Sequence, residues 1–254
     1  MNTTVGGLQL DGVRTLVVGA SSGIGRAFAL AAHNQGARVA VAARRDELLT
    51  ELAGEVNGTA HHLDVSDIGA VASVVNDVAE QLGGIDAIVL TSVVVPLARV
   101  EHVEAATWMN AFAVNAIGPA MVIREALPHL SDEAVIVVAS SHDVGRPRAG
   151  VSAYSASKAA LDEILASWRR EHPFLRVVRV AVGPTDDTEI LRGADQDLLA
   201  ELFGVWELHG QSHLAASRAA DVAGTLVSLI HAARTNPSVV TEVVKLAPAA
   251  SKGP

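Results

Sequence analysis

The sequence contains no cysteine, few aromatic residues and no excess of positive charge. Without cysteine the chain can form neither a disulfide framework nor a thiolate site, which fits a reducing compartment. Its 19 Lys and Arg residues are outnumbered by 28 Asp and Glu residues, and the net charge is -9. Nucleic-acid binding needs a clustered basic face, so we expect no nucleic-acid partner.

Long hydrophobic runs are also missing. The longest apolar run, Ala134–Ala139, is far shorter than the roughly 18–20 residues that cross a bilayer. Residues Met1–Asp11 lack the basic region and the apolar stretch of a secretory signal. We therefore expect a cytoplasmic protein with no membrane partner.

What the sequence does contain is an alternation of short apolar runs, rich in Val and Ile, with longer amphipathic stretches. The predicted strands are Thr15–Val18, Arg38–Ala42, Ala60–Leu63, Ala87–Leu90, Ala134–Ala139, Arg176–Val182 and Val239–Leu246. The predicted helices are Ile24–Gln35, Asp46–Ala53, Ile68–Leu82, Ala105–Leu130, Ala153–Glu171 and Ala219–Ala233. Continuous apolar strands are typical of sheets covered on both faces, and strand–helix alternation produces right-handed βαβ units. The pattern predicts one α/β domain over residues 1–254 with a mostly parallel sheet.

The segment Thr185–Ser217 interrupts this alternation. It combines a short helical piece, Gln196–Phe203, with acidic residues and scattered glycine. An insertion after the carboxyl end of a strand is where α/β proteins place a lid or a substrate loop. A surface excursion with its own small hydrophobic contact is an equally weighted alternative.

A glycine-rich turn follows the first predicted strand and opens the first predicted helix. After Val18 it reads Gly19-Ala20-Ser21-Ser22-Gly23-Ile24-Gly25. Glycine lets the backbone turn sharply and approach a ligand closely. The helix N-terminus offers N–H groups and a partial positive charge to a pyrophosphate, and the hydroxyls of Ser21 and Ser22 can add donors. A tight turn with a serine cap is the alternative, but the place between strand and helix favours a dinucleotide site.

A Tyr–Lys pair lies at the start of the predicted helix Ala153–Glu171. Tyr154, the only tyrosine of the chain, and Lys158 are four residues apart and therefore share one helix face. A nearby ammonium favours the phenolate, so we expect the pKa of Tyr154 to fall below its ordinary value of about 10 when cofactor is bound. Such a pair can serve as the general acid for hydride transfer to a carbonyl. A partly buried tyrosine beside an exposed lysine is the alternative.

Two polar residues lie upstream of this pair. Ser141 follows the apolar strand whose carboxyl end faces the ligand crevice in such sheets, and its hydroxyl can hold a substrate oxygen. Its neighbour Ser140 could take that role instead, or both could simply form a turn. Asn115 lies among apolar residues within a predicted helix, where Asn is locally unfavourable and usually has a specific contact.

The glycine turn resembles the TGxxxGIG turn of the short-chain dehydrogenase/reductase family, and Y-S-A-S-K at 154–158 resembles its YxxxK motif. The resemblance extends from Leu10 to about Leu246. It implies a Rossmann-type, doubly wound parallel sheet of seven strands in the order 3-2-1-4-5-6-7, with helices on both faces. It also implies an active set in which Asn115 supports a water linked to the lysine. That set is Asn115, Ser141, Tyr154 and Lys158.

The same resemblance implies a nicotinamide dinucleotide as cofactor. The expected contacts are Gly19, Ser21, Ser22, Gly23, Ile24, Gly25, Arg44, Asp64, Val65, Thr91, Tyr154, Lys158, Gly183 and Thr185. Asp64 and Val65 match the pair that holds the adenine, although Asp64 could be only a turn former or a helix cap. Family members that prefer NADP(H) often have arginine at the position of Arg44 with no acidic residue before it, and arginine binds a 2′-phosphate well. We expect NADP(H), with NAD(H) as the alternative; Arg44 and Arg45 could also be solvated surface charges.

Three segments depart from the family pattern. The NNAG that follows the fourth strand is replaced by Leu90-Thr91-Ser92-Val93, which loses the Asn side chains and puts valine in place of glycine. The PGxxxT that follows the sixth strand becomes V-G-P-T-D-D-T, which leaves the contacts of Gly183 and Thr185 with the nicotinamide amide open. One extra residue precedes Gly145, and for this reason Ser140 competes with Ser141.

Together these features predict an NADP(H)-dependent carbonyl reductase or alcohol dehydrogenase that acts on a small carbonyl or alcohol substrate. We expect a homo-oligomer, a dimer or tetramer, whose interface is formed by the helices of Asn115 and Tyr154. The altered NNAG leaves a second hypothesis, a dinucleotide-sensing or scaffold protein with little turnover. His209 and His213 are four residues apart, but no carboxylate completes an HExxH pattern, so we predict no metal site.

Overall fold

Strands and helices alternate along the chain in a computed structural model, which describes residues 9–211 and 215–249. The strands are β1 Arg14–Val18, β2 Arg38–Ala43, β3 Thr59–His62, β4 Ile85–Leu90, β5 Leu130–Ser141, β6 Arg176–Val182, β7 Thr185–Asp186, β8 Ser217–Arg218 and β9 Val243–Leu246. The α-helices are α1 Gly23–Asn34, α2 Asp46–Glu55, α3 Ile68–Leu82, α4 Ala105–Phe112, α5 Gly118–Ala126, α6 Ser152–Glu171, α7 Gln196–Leu208 and α8 Ala219–Thr235.

The main sheet has seven parallel strands in the order β3-β2-β1-β4-β5-β6-β9. This confirms the predicted order 3-2-1-4-5-6-7, because the short strands β7 and β8 form a separate sheet and β9 supplies the seventh position. The strand order reverses between β1 and β4, where Val18 lies opposite Leu90. Ligands of open α/β sheets bind outside the carboxyl ends of the strands at such a reversal, so the topology selects the place for a site.

Hydrophobic layers cover both faces of the sheet, because successive strand residues point to opposite faces. In β1, Val17 points into the layer formed with α1 and α8, where Phe28 and Ile230 are fully buried. Leu16 and Val18 point into the other layer, formed with α3, α5 and α6. Burying one such side chain stabilises the fold by about 1.5–3 kcal/mol. This double coverage explains why the strands read as continuous apolar runs.

The predicted helix Ala105–Leu130 is divided in the structure. A π-helical turn, Ala113–Ile117, separates α4 from α5, and a 3₁₀ turn, Leu127–His129, precedes β5. Asn115 lies inside the π turn, a wide turn that is frequent at functional sites. The sequence does not reveal this break, because the apolar pattern continues through it.

Residues Ala105–His129 are, by length and composition alone, long and apolar enough to cross a membrane. The expectation from uninterrupted apolar runs missed this segment, because polar residues are scattered through it. Half of its most apolar 18-residue stretch is buried inside the protein. There α4 packs against α6, and α5 packs against α3. Buried core helices pass the same test of length and composition, so we assign no membrane segment here.

The strand bounds differ from the prediction mainly at β5 and β9. β5 extends beyond Ala134–Ala139 at both ends, because Leu130 pairs with Ile85 of β4 and the polar Ser141 still pairs with Val182 of β6. The last strand begins at Val243 rather than Val239, and Val239 is exposed ahead of it. Polar residues inside a strand and apolar residues outside one are the cases in which an apolar pattern fails.

The segment Thr185–Ser217 contains β7, α7 and the start of β8. The helical piece predicted at Gln196–Phe203 extends to Leu208. Residues 212–214 lie outside the described residues, and His213 with them. Within the described ranges, no three His, Asp or Glu side chains cluster as metal ligands would.

Replacing Gly19 by alanine should destabilise the fold. Gly19 has φ +87°, and a Cβ there would lie 2.4 Å from the backbone N of Ser92. Left-handed backbone at a non-glycine residue costs about 1–3 kcal/mol, and the overlap with Ser92 adds to this cost. We expect the free energy of unfolding of Gly19→Ala, measured by denaturant titration, to fall by at least about 2 kcal/mol.

Gly54→Ala is the matched control. A Cβ on Gly54, inside α2, would meet no atom within 4 Å. Removing a helical glycine should raise the free energy of unfolding by about 0.5–1 kcal/mol. Equal stabilities of the two variants would show that the approach of β1 to β4 is not tight.

Candidate active site

The carboxyl ends of β1, β4, β5 and β6 open into one cleft of about 1070 Å³. Every site residue predicted from the sequence except Asn115 lines it. The lining residues from that set are Gly19, Ser21, Ser22, Gly23, Ile24, Gly25, Arg44, Asp64, Val65, Thr91, Ser141, Tyr154, Lys158, Gly183 and Thr185. The fold therefore brings into one cavity residues that are more than 160 positions apart in the chain.

The glycine turn forms one end of this cleft, between β1 and α1. A Cβ at Gly25 would lie 2.3 Å from the carbonyl oxygen of Gly19, so only glycine allows the helix to start this close to the strand. The hydroxyl of Thr91 donates to the carbonyl oxygen of Val18 at 3.0 Å and fixes the turn against the end of β4. Because the Thr91 hydroxyl is bound to the backbone of β1, Thr91 has a structural role in holding the glycine turn. Its contact with a cofactor stays a prediction.

A dinucleotide diphosphate fits this turn. The N-terminus of the 12-residue α1 supplies N–H groups and a partial positive charge. Ser22, the N-cap, makes no side-chain cap bond, which leaves its hydroxyl available to other partners. The backbone N–H and hydroxyl donors, together with glycines that leave space beside the backbone, form the kind of cradle that an anionic phosphate requires.

Two arginines lie at the rim beside the turn, and they make different contacts. Arg44, the predicted phosphate ligand, has a side chain that is 58% exposed and lies 4.0 Å from Asp64. Arg45, which the sequence-based assignment left out, reaches the turn: its Nη2 donates to Ser22 Oγ at 2.7 Å and to Ser21 Oγ at 2.9 Å. The side chain that contacts the turn is thus the neighbour of the predicted one.

Asp64 and Val65 follow β3 at the adjacent rim. The Asp64 carboxylate accepts hydrogen bonds from the backbone N and the hydroxyl of Ser66, at 2.9 and 2.7 Å. These bonds lower the pKa of Asp64, against the effect of its partial burial. Asp64 therefore forms the local turn that the sequence left as an alternative, while Val65 is buried behind it. Both residues line the cleft. Their contact with adenine stays a prediction.

At the other end of the cleft, Tyr154 lies in the first turn of α6 and faces the end of β5. Burial raises the pKa of its phenol to about 12, and an interaction with the Ser141 hydroxyl opposes this rise. This direction belongs to the protein without dinucleotide, and the lowered pKa expected with cofactor bound stays a prediction. Desolvation is the largest contribution to the pKa of Tyr154, and it outweighs the lowering effects of Ser141 and Arg148.

Lys158 lies one helical turn further along α6, and its side chain is only 3% exposed. Its Nζ donates to the carbonyl oxygen of Ala139, near the end of β5, at 2.8 Å. Burial lowers the pKa of Lys158 to about 8, while the negative charge of Asp162 opposes this change. The alternative of an exposed lysine beside Tyr154 is therefore wrong, because the ammonium is enclosed between α6 and the sheet.

Ser140 and Ser141 have different partners, which separates the two candidates. Ser141 Oγ accepts the backbone N–H of Asp143 at 3.0 Å and lies beside Tyr154. Ser140 Oγ instead donates to the carboxylate of Asp162 at 2.5 Å. Since the hydroxyl of Ser140 is occupied there, the geometry places Ser141 next to the phenol.

Asp162 and Arg179 form a partly buried charged pair behind the lysine, and the sequence-based assignment missed both. Arg179, from β6, donates to the Asp162 carboxylate, which also receives the Ser140 hydroxyl. Burial raises the pKa of Asp162, while Ser140 and the positive charges around it oppose the rise. Asp162 is four residues after Lys158, so helix periodicity could have indicated a shared face, but only the fold shows that this face is buried.

Asn115 lies in the π turn and is fully buried. Its amide exchanges two hydrogen bonds with the backbone of Val94, both at 2.9 Å, and donates a third to Ser157 Oγ at 2.9 Å. Ser157 in turn donates to the carbonyl oxygen of Tyr154 at 2.7 Å. Asn115 therefore links the segment after β4 to the first turn of α6 and does not line the cleft; its support of a water linked to Lys158 stays a prediction.

The segment after β6 carries two further predicted residues. The backbone N of Gly183 donates to Leu246 at 2.8 Å, which fixes the end of β6 against β9. Thr185 pairs with Ser217 in the small sheet, and its hydroxyl donates to the carbonyl oxygen of Gly183 at 3.0 Å. Their contact with a nicotinamide amide stays a prediction.

The helix α7 covers the part of the cleft beside Tyr154. Trp206 Nε1 donates to the carbonyl oxygen of Ala149 at 2.9 Å, and the guanidinium of Arg148 lies 4.5 Å from the centre of the Trp206 ring. Phe203 packs edge-on against Trp206 and also lines the cleft. The interruption in the strand–helix alternation thus contributes an aromatic wall to the site.

Comparisons with known proteins agree with this arrangement. A family model described as short chain dehydrogenase matches residues 14–198. A short chain dehydrogenase of Pseudocercospora fijiensis is 32% identical over 75% of this chain and 64% of its own length. A versicolorin reductase of Emericella nidulans is 34% identical over 61% of each chain. The chain thus spans less than two thirds of the length of these two relatives.

Solved structures are similar over almost their whole length. A short chain dehydrogenase from Burkholderia cenocepacia, in complex with NADP, is 26% identical with a TM-score of 0.80 and covers 94% of this chain and 97% of its own. A dehydrogenase/reductase from Sinorhizobium meliloti is 27% identical with a TM-score of 0.77, covering 94% and 96%. The same arrangement of strands and helices is therefore shared with these two proteins.

The single tyrosine makes the ionisation of the site directly measurable. In protein without added dinucleotide we expect the phenolate absorbance to appear above pH 10.0, with a midpoint near 12. The fold favours the neutral phenol, whereas in the unfolded chain the phenol ionises with its ordinary pKa of 10.0. The contribution of Tyr154 to the free energy of unfolding is therefore fully present below pH 10.0 and should be lost as the pH rises towards 12.

Circular dichroism at each pH shows whether the fold persists during this titration. The variant Tyr154→Phe should show no phenolate absorbance, because Tyr154 is the only tyrosine. A midpoint at or below 10.0 in protein that is still folded would contradict the buried, uncharged environment of Tyr154.

Proposed function

The chain belongs to the short-chain dehydrogenase/reductase family, and we propose that it interconverts a carbonyl group and a secondary alcohol with Tyr154 as general acid and base. One observation carries the proposal: Tyr154, Ser141 and Lys158 converge at the end of β5, in the same cleft as the glycine turn. A phenol in hydrogen-bond range of a substrate oxygen is suited to proton transfer. The glycine turn supplies the place for the hydride carrier.

When bound, a nicotinamide dinucleotide would supply the hydride that forms the new C–H bond, and would itself be oxidised. In that direction Tyr154 Oη delivers the proton that forms the new O–H bond. Ser141 Oγ holds the carbonyl oxygen beside the phenol and stabilises negative charge as it develops. The Lys158 ammonium stabilises the phenolate that remains. In the reverse direction the phenolate takes the proton from the alcohol.

We further propose that the dinucleotide is NADP(H) rather than NAD(H). The rim beside the glycine turn carries Arg44 and Arg45, and the residue before them is Ala43, which can neither accept the 2′-hydroxyl nor repel a phosphate. Arginine binds phosphate through two parallel hydrogen bonds. The structure from Burkholderia cenocepacia is a complex with NADP, which supports the same choice for this chain.

The proposed assembly is a homo-oligomer, a dimer or a tetramer, formed through the helices of Asn115 and Tyr154. Met109 on α4 is 73% exposed, and Ile117 in the π turn is also exposed. Exposed apolar side chains on these two consecutive segments support a protein–protein contact. A second copy of the chain is the proposed partner, because most soluble oligomers are symmetric homo-oligomers.

Tyr154→Phe should lower kcat by about 10²- to 10⁴-fold, the usual contribution of a positioned proton donor. The substitution removes only the hydroxyl, so the affinity for NADPH, measured by the change in its fluorescence, should be retained. Steady-state rates are measured over a panel of ketones and aldehydes, with wild type at each substrate. Binding of NADPH without turnover by either protein, over the whole panel, would contradict the enzyme and favour the sensor hypothesis.

Arg44→Ala should weaken NADPH much more than NADH. A hydrogen bond to a charged group contributes about 1.5–3 kcal/mol, so the Kd for NADPH should rise by about tenfold or more, measured by calorimetry. Arg176→Ala is the control, because Arg176 lies at the opposite, amino-terminal end of β6 and bonds to the carbonyl oxygen of Asp132. Equal losses for the two dinucleotides would remove Arg44 from phosphate recognition.

A further inference from the structure

Arg45 joins two parts of the cleft that are far apart in sequence. On one side its guanidinium donates to the hydroxyls of Ser21 and Ser22 in the glycine turn. On the other side its Nη1 forms an ion pair with the carboxylate of Glu189, from the segment after β7. All three nitrogens of the guanidinium are therefore in use, on groups that line the cleft.

Glu189 is held at this place by more than Arg45. The preceding residue, Thr188, packs on the glycine turn, with its methyl group 3.2 Å from the position of a Cβ on Gly23. The other carboxylate oxygen of Glu189 accepts a hydrogen bond from Arg192 at 3.2 Å. Arg45, Arg192 and the Ser22 hydroxyl together lower the pKa of Glu189, so the group is a carboxylate at neutral pH.

The partners of this carboxylate are those that a phosphate group would use. Guanidinium and hydroxyl donors beside a helix N-terminus bind an anion irrespective of whether it is a carboxylate or a phosphate. A dinucleotide that placed a phosphate against Arg45 would therefore meet a negative charge that already occupies it. The Glu189 carboxylate and the phosphate are both negative and repel each other. The ion pair between Arg45 and Glu189 would therefore have to open before the phosphate could bind Arg45.

We propose that Glu189 is a specificity-determining residue for the cofactor: it competes with the 2′-phosphate of NADP(H) for Arg45 and reduces the preference for NADP(H) over NAD(H). The inference rests on the proposed function, since it assumes that the cleft binds a nicotinamide dinucleotide. NAD(H) carries a hydroxyl in place of that phosphate, so it does not need Arg45 to leave Glu189. The diphosphate is common to both dinucleotides, and its repulsion by Glu189 cancels in their ratio.

The test is the substitution Glu189→Gln, which removes the charge and keeps the size of the side chain. Calorimetry measures the Kd of wild type and variant for NADPH and NADH, and for two fragments, AMP and the adenosine bisphosphate that carries a 2′-phosphate. We expect Glu189→Gln to bind NADPH and the bisphosphate about two- to fivefold more tightly, the range that one exposed ion pair produces. The affinities for NADH and AMP should change less.

Two further variants separate competition from a general effect of charge. Glu201→Gln breaks a comparable exposed ion pair, between Glu201 of α7 and Arg99, outside the cleft lining, and should leave all four affinities unchanged. In the Arg45→Ala background, Glu189→Gln should no longer increase the affinity for NADPH. The reason is that the guanidinium for which the carboxylate and the phosphate compete has been removed. A merely structural role of Glu189 would give a loss of affinity rather than a gain.

The outcomes distinguish this inference from the proposed function. Binding of both dinucleotides with an NADPH to NADH ratio that Glu189→Gln leaves unchanged would overturn the role of Glu189 and leave the oxidoreductase intact. An equal gain in Glu201→Gln would also overturn it, since the effect would then be one of net charge. Failure of wild type and variants to bind any of the four probes would overturn the dinucleotide site itself, and the inference with it.

Discussion

One buried ammonium, that of Lys158, limits how α6 can lie on the sheet. Enclosing a charge in a protein costs several kcal/mol unless it is paired and hydrogen-bonded. Here the carbonyl oxygen of Ala139 accepts one hydrogen bond, and the carboxylate of Asp162 provides the nearby negative charge. Asp162 is in turn held by Arg179 from the next strand. Satisfying this cation, together with burying Leu161 and Leu165 of α6 in the core, limits the position of α6 and with it the place of Tyr154.

The polar contacts around Tyr154 form a continuous framework between elements that are distant in sequence. Asn115 holds the segment after β4 and reaches the first turn of α6 through Ser157. Ser140 is drawn towards Asp162, which leaves Ser141 beside the phenol. Two adjacent serines with the same chemistry therefore have separate partners, Asp162 for Ser140 and the phenol for Ser141. Buried networks of this kind are costly when incomplete, so each member limits the positions of the others.

The end of the cleft that contains the glycine turn is organised by charge rather than by burial. Arg44 and Arg45 follow one another in sequence, yet one is largely exposed and the other connects the glycine turn to Glu189. The altered segment after β4 keeps a structural role, since Thr91 fixes the turn with its hydroxyl where the family pattern has asparagine. The aromatic wall formed by Trp206 and Phe203 belongs to the end of the cleft that contains Tyr154. The chain thus keeps the family's framework and differs from it where the ligands would be contacted.

The sequence alone was sufficient for the fold and for most of the cleft. Apolar runs with a period matched to strands and helices, the glycine turn and the Tyr–Lys spacing are local patterns, and each follows from backbone sterics or from helix geometry. Arg45, Asp162, Arg179 and Glu189 escaped, because their significance lies in which distant side chain they meet. The break at Ala113–Ile117 escaped as well, since a π turn leaves the apolar pattern intact. The tertiary structure alone decided which of two serines faces the phenol, which of two arginines reaches the turn and whether the lysine is buried, because burial and charge pairing depend on neighbours that only the folded chain brings within a few ångströms.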